Sequence, residues 1–167
     1  MLLARVTLAT ALGVALLAPA AFAASPTDEA FVAKVSQGGM FEVKLGQVAA
    51  DQGATQDIRD QGNTEMHDHT LVGDKLKSIA NGIGITFPDT LNEQFQGRLD
   101  KLKSLSGVAF DRSYLQAMED IHAKDGAAFA AEAHHGTDPK LRAFAAETHR
   151  IVERHVGELK AIGPTGG

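Results

Sequence analysis

The segment that decides the fold is ITFPDTLNEQFQGRLDKLKSLSG, residues 85–107, which lies between two long stretches of helical periodicity. It is too long to be a tight turn between neighbouring antiparallel helices. The segment contains a short amphipathic helix that is capped near Asp89 or Thr90. Its apolar stripe consists of Leu91, Phe95, Leu99 and Leu102. About fifteen helical residues at 1.5 Å each span roughly 22 Å, so the segment predicts a crossover from one end of a helical bundle towards the other.

Two long amphipathic helices precede this crossover and two follow it. We predict that they begin at Ser25, Thr55, Asp111 and Asp138, and that they end near Gly53, Ala80, Gly136 and Gly163. Ser, Thr and Asp are residue types that cap helix N-termini, and glycine accommodates the turn that follows a helix. No segment alternates apolar and polar residues convincingly as a strand would. The sequence therefore predicts an all-α four-helix bundle whose second and third long helices are parallel, as in ferritin-like folds.

Residues 1–23 have the pattern of a secretory signal peptide. Arg5 is followed by an uncharged, mostly apolar stretch, and the segment ends in a small-x-small motif at Ala21 and Ala23. The alternative is an uncleaved membrane anchor, since the uncharged stretch is just long enough to span a bilayer. We expect cleavage after Ala23, a single four-helix-bundle domain in residues 24–167, and a periplasmic or secreted protein with no stable membrane insertion.

Composition excludes several classes of function. The chain of 167 residues contains no cysteine, which excludes a disulfide scaffold, a thiolate nucleophile and a Cys-ligated metal site. The net charge is −5 and the basic residues are not clustered, so nucleic acid is not an expected partner. The sequence also lacks the Gly-x-Ser-x-Gly, His-Glu-x-x-His and P-loop motifs. These absences favour a binding protein over an enzyme.

Each long helix carries an ionisable residue near the middle of its apolar stripe. Counted at 1.5 Å per residue from a common end, the depths of these residues span about 10 Å, which is compatible with convergence. Three imidazoles and a carboxylate inside a helical bundle suit zinc, copper(II) or iron. The predicted metal ligands are Glu42, His69, His122 and His155. Additional candidates are Glu65, Asp68 and Met118. A thioether ligand from Met118 would shift the preference towards copper(I).

The same residues can be explained without a metal. A buried glutamate costs several kcal/mol unless it is paired, and histidines could pair with Glu42 in a closed polar network. The protein would then be an envelope structural or stress-related interaction module. A di-iron enzyme is a third alternative, because Glu119-x-x-His122 matches half of the di-iron pattern. The histidines that lie off the stripes are expected to be solvated; they are His67, His134, His135 and His149.

Several motifs carry a resemblance to a known family. They are Gln37-Gly38-Gly39-Met40 with Glu42-Val43-x-Leu45-Gly46, then Asp68-His69, then Leu105-Ser106-Gly107 with Tyr114-x-x-x-Met118-x-x-x-His122, and last Leu141-Arg142-Ala143-Phe144-Ala145. In this order they resemble the exported bacterial family called domain of unknown function 4142. That family is often labelled a predicted outer-membrane protein and has no agreed activity. The resemblance implies a ferritin-like fold, export, and recurrent polar positions at Glu42, Asp68, His69, His122 and His155.

The chain departs from the family pattern near the candidate ligands. Glu65 stands where the resemblance implies Met, which adds a carboxylate one turn from His69. Ile121 stands where the family usually has Asp, which removes an expected partner of His122. The second departure weakens the case for a metal site. Because each stripe has an ionisable group at a compatible depth, our leading expectation is still an exported binding module whose bundle core holds one transition-metal ion.

Overall fold

The computed structural model describes residues 24–163, and within this range the chain forms five helices and no strand. The bounds of the helices are Pro26–Gln52 (α1), Gln56–Gly82 (α2), Glu93–Lys103 (α3), Gly107–His135 (α4) and Pro139–Ile162 (α5). The predicted all-α fold class is confirmed, and α3 is the short helix expected in the connection. The predicted signal peptide lies outside the described residues. No helix in the described part of the chain is long and apolar enough to cross a membrane.

Three of the four long helices begin where the capping residues predict. The side chains of Ser25, Thr55 and Asp138 each accept a hydrogen bond from a backbone N–H in the first turn of α1, α2 and α5. Such bonds satisfy N–H groups that have no partner within the helix.

Two predicted caps are wrong. Helix α3 is capped by Asn92, which accepts a hydrogen bond from the Phe95 N–H, and not by Asp89 or Thr90. Helix α4 begins at Gly107, one turn before Asp111. The Asp111 carboxylate instead accepts hydrogen bonds at 2.9 and 3.1 Å from the N–H groups that immediately precede α2. Asp111 therefore holds the turn before α2, whose N-cap is Thr55, through a tertiary contact.

These long-range caps establish the directions of the helices. Asp111 joins the start of α4 to the start of α2, so these two helices begin at the same end and run parallel, as the crossover predicts. At the opposite end, Asp28 of α1 accepts hydrogen bonds from Thr137 and Asp138 at the start of α5. Helices α1 and α5 each pack against both α2 and α4, while α3 lies against α1 and α4.

The apolar core forms two clusters with a polar layer between them. One cluster includes Phe41, Leu45 and Tyr114, and the other includes Phe31 and Phe144. Along α2, α4 and α5, the buried histidines and Glu65 lie between the positions that contribute to these clusters. The site is therefore enclosed by apolar side chains on both sides.

A close approach of α1 and α2 sets the position of Glu65. A Cβ atom added at Gly46 would lie 2.7 Å from the Gly62 carbonyl oxygen and 3.3 Å from the Glu65 Cβ. A Cβ at Gly62 would lie 2.6 Å from the Gly46 carbonyl oxygen. Only glycine at both positions permits this backbone separation, which brings Glu65 into the core.

Candidate metal centre

Four helices contribute ionisable side chains to one buried cluster. The residues are Glu42 on α1, Glu65 and His69 on α2, His122 on α4 and His155 on α5. Each is between 0 and 3 % exposed. Glu65 and His69 are four residues apart, so they lie on the same face of α2.

One carboxylate oxygen lies at the centre of three imidazoles. Glu65 Oε2 is 3.2 Å from His69 Nε2, 3.4 Å from His122 Nε2 and 3.0 Å from His155 Nδ1. His122 Nε2 and His155 Nδ1 are 3.3 Å apart. The four ligand atoms all lie within 4.8 Å of one another. Tetrahedral bonds of 2.0–2.2 Å place ligand atoms about 3.3–3.6 Å apart, and the four spacings of 3.0–3.4 Å are close to this range. The 4.8 Å limit for the whole set is wider than two such bonds span, so an ion shared by all four atoms would draw the widest pair together.

The outward-facing nitrogen of each imidazole has an acceptor. His122 Nδ1 donates to the Met118 carbonyl oxygen at 2.8 Å, which directs the lone pair of Nε2 into the cluster in the neutral ring. His69 Nδ1 lies 3.1 Å from Glu42 Oε2, and His155 Nε2 lies 3.0 Å from Asp68 Oδ2. Asp68 also pairs with the Arg154 guanidinium. Acceptors on the outer nitrogen orient metal-binding histidines in this way.

The other carboxylate oxygen of Glu65, Oε1, accepts a hydrogen bond from a neighbouring side chain. Gln61 Nε2 donates a hydrogen bond to Glu65 Oε1 at 2.7 Å, and both side chains are buried. This bond leaves Oε2 as the oxygen that faces the histidines. Gln61 was not recognised from the sequence, although its position one turn before Glu65 is a signal that could have identified it.

The buried carboxylates favour protonation of the neighbouring imidazoles. Burial lowers the pKa of the His122 imidazole, but the negative charges of Glu42 and Glu65 outweigh burial and raise that pKa to about 9. Burial likewise opposes protonation of His155, whose pKa is nevertheless raised by Glu65 and Asp68. Burial alone would raise the pKa of Glu65, but the three imidazoles hold it well below its usual range. A metal ion that binds here displaces protons, because a nitrogen ligand must offer its lone pair.

One buried polar atom in this cluster lacks a partner within hydrogen-bond distance. Glu65 Oε2 lies 3.0–3.4 Å from three imidazole nitrogens, so protons on these rings satisfy it. Glu42 Oε1 lies 3.7 Å from His122 Nε2 and has no hydrogen-bond partner. An unsatisfied buried polar atom costs about 1–3 kcal/mol, so the polar network is incomplete at Glu42.

The structure assigns different positions to the two glutamates. Glu65, predicted as an additional candidate, lies among the three histidines, whereas Glu42 contacts His69 from outside the four-atom group. Asp68 contacts the outer nitrogen of His155. Met118 supplies its carbonyl oxygen to His122, and its side chain belongs to an apolar cluster.

The off-stripe histidines lie outside the His/Glu cluster. Of these, His67, His134 and His135 are exposed and His149 is half-buried.

Together, the fold and the site define a class of all-helical proteins with a His/Glu cluster in the core. The chain belongs to the family described as "Domain of unknown function (DUF4142)", whose sequence profile matches residues 14–162. The resemblance drawn from the motifs is thereby confirmed. No curated protein matches the chain.

A solved structure supports the fold independently. The chain is similar to the crystal structure of a DUF305 fragment from Deinococcus radiodurans, with a TM-score of 0.73 and 11 % sequence identity. The match covers 84 % of this chain and 97 % of that fragment. At this level of identity the similarity concerns the fold alone.

Proposed function

We propose that the protein binds one transition-metal ion through Glu65, His69, His122 and His155. The observation that carries this proposal is the convergence of four buried ligand atoms within 4.8 Å. The outer nitrogens of the three histidines already have acceptors, so the imidazoles are pre-oriented towards one point. Glu42, Asp68 and the Met118 carbonyl are the groups that orient them.

The ligand set narrows the choice of metal. Three imidazoles and one carboxylate suit zinc, copper(II) and iron, whereas no side-chain sulfur completes the set that copper(I) would favour. All four ligand residues are buried. A closed four-ligand site is typical of metal binding or structural stabilisation, since catalytic sites keep a position open for substrate. We therefore propose a binding module rather than an enzyme.

Metal titration tests this function directly. The purified protein is titrated separately with Zn(II), Cu(II) and Fe(II), and the bound metal is measured after gel filtration. We expect one ion per chain for the preferred metal and no specific binding in the His69→Ala/His122→Ala double variant. The matched control is His134→Ala/His135→Ala, which removes two exposed histidines from the end of α4.

The control results distinguish this proposal from the metal-free module. If the cluster serves only to fix helix register, the His69→Ala/His122→Ala variant loses thermal stability and metal has no effect on the parent protein. Undetectable metal binding by the parent protein, or equal binding by both double variants, contradicts the proposed function.

We also propose that the protein acts in the periplasm or outside the cell. The proposal rests on the signal-peptide pattern of residues 1–23. Cell fractionation combined with mass spectrometry of the N-terminus provides the test. We expect a chain that begins at Ala24; an intact N-terminus in the membrane fraction would favour the uncleaved anchor instead.

A further inference from the structure

A cavity of about 340 Å³ lies between α1, α2 and the connection to α3. Its walls are largely apolar and include Val35, Leu76 and Phe87. Gly39 and Gly73 also line it, and a Cβ atom added at either glycine would meet no atom within 4 Å. The absence of side chains at these two helical positions keeps the cavity open.

The inner end of the cavity reaches the His/Glu cluster. Glu42 and His69 line the cavity, and they contact each other at 3.1 Å. The other oxygen of Glu42, Oε1, lies 3.7 Å from His122 Nε2 and has no hydrogen-bond partner. The Glu42 carboxylate therefore borders both the cavity and the proposed metal ligands.

A second buried acid lies at the same end of the cavity. Asp125 is 3 % exposed and lines the cavity. Its carboxylate fills the space beside Gly38, where an added Cβ would lie 1.8 Å from Asp125 Oδ2. Burial and the negative charge of Glu42 raise the pKa of Asp125 to about 8, so a cation that binds this carboxylate displaces a proton.

The opposite face of the cluster is less suited to a cation. A groove of about 230 Å³ between α2 and α5 reaches Asp68 but none of the four proposed ligands. The Arg154 guanidinium pairs with Asp68 and lies 3.0 Å from His155 Nε2. This positive charge beside the outer nitrogen of His155 repels an incoming metal ion. The cavity between α1 and α2 also has two lysines in its lining, Lys44 and Lys77, but they are accompanied by Asp74 and Asp89, and Lys77 pairs with Asp89 at 3.3 Å.

We infer that the cavity lined by Gly39 and Gly73 is the entry route for the metal cation, with Asp125 and Glu42 as successive transient ligands on the way to the cluster. This inference rests on the proposed metal-binding function. Carboxylate oxygens are hard ligands that exchange divalent cations readily, and the mixed imidazole set behind them retains the ion.

Stopped-flow loading with Co(II) tests the route, because Co(II) reports tetrahedral coordination through visible absorption. Gly73→Leu and Gly39→Leu place side chains in the cavity from opposite walls. We expect association and dissociation to slow about tenfold in each, with the equilibrium Kd unchanged, since the ligands are intact. Gly157→Leu is the matched control, because Gly157 is an exposed helical glycine on α5 with no atom near its added Cβ; it should load at the parent rate.

Asp125→Asn provides a second test that does not fill the cavity. It replaces the carboxyl group of the proposed transient ligand by an amide with little change in volume, and we expect slower association with a nearly unchanged Kd. Parent-like loading rates in the two cavity variants and in Asp125→Asn would overturn the entry route while leaving equilibrium binding in place. If the parent protein binds none of Co(II), Zn(II), Cu(II) and Fe(II) at equilibrium, the proposed function itself fails.

Discussion

The buried acids at the ends of the bundle differ from those at its centre in the groups that surround them. Asp28 and Asp111 accept backbone N–H bonds from the residues that precede α5 and α2. Glu65 at the centre faces three imidazole nitrogens at 3.0–3.4 Å. Asp28 and Asp111 connect helices through backbone N–H groups. Glu65 instead lies among side-chain nitrogens that can bind a metal, so the capacity for a ligand is concentrated at the centre.

Replacing the central carboxylate tests this difference most strongly. We expect Glu65→Gln to weaken metal binding by more than about 100-fold, because it removes the charged oxygen that faces all three histidines. Glu42→Gln should weaken binding by only about 10-fold, since Glu42 orients His69 from outside the ligand group. Competition with a chelator of known affinity measures both effects. A larger loss of metal affinity in Glu42→Gln than in Glu65→Gln would show that Glu42 is the metal ligand and Glu65 the supporting group.

Removing an end carboxylate should affect stability instead of metal binding. Asp111→Ala leaves two backbone N–H groups before α2 without their acceptor, and we expect it to lower the free energy of unfolding by about 2 kcal/mol. Urea denaturation of the metal-free protein measures this loss. The metal Kd of the variant should stay within about twofold of the parent value, because the cap is remote from the ligands. A large loss of affinity would show that the two regions are coupled.

Glu132, at the end of the bundle where α5 begins, should make the free energy of unfolding depend on pH. Burial and the neighbouring negative charge of Asp28 raise the pKa of Glu132 from 4.5 to about 7. The folded state therefore retains a proton that the unfolded chain releases, and this contribution to stability is lost as the pH rises from 4.5 through 7. We expect Glu132→Gln to be more stable than the parent by about 1 kcal/mol at pH 8 and equally stable at pH 4.

Denaturation of the metal-free protein at both pH values checks this expectation. Glu119→Gln is the control, since Glu119 is an exposed glutamate on the same helix. The Asp28 pKa is lowered, because hydrogen bonds from Thr137 and Ser25 outweigh the opposing effect of burial, so its contribution is lost only at a more acidic pH. An equal benefit of Glu132→Gln at pH 4 and pH 8 would contradict the assigned titration.

Local sequence was sufficient for most helix boundaries but not for every cap. Ser25, Thr55 and Asp138 cap the helices that directly follow them, so the local pattern and the structure agree. Asp111 has the residue type of an N-cap but serves α2, more than fifty positions away in the chain. The residue type of a hydrogen-bond acceptor does not reveal whether its backbone N–H donors are close to it in the chain or distant from it.

In the candidate site, too, local sequence predicted some features and tertiary packing set the others. The apolar stripes of the helices, the crossover after α2 and the inward placement of Glu42, His69, His122 and His155 follow from helical periodicity, which depends on the sequence alone. Which acid lies among the histidines depends on helix rotation and separation, which are set by packing such as the Gly46–Gly62 approach. Differences of a few ångströms between helices separate a ligand from its supporting group, and a count of 1.5 Å per residue along separate helices does not resolve them. The tertiary structure therefore decided the positions of Glu65 and Glu42 relative to the histidines, whereas helical periodicity predicted only that ionisable groups on the inward stripes could converge.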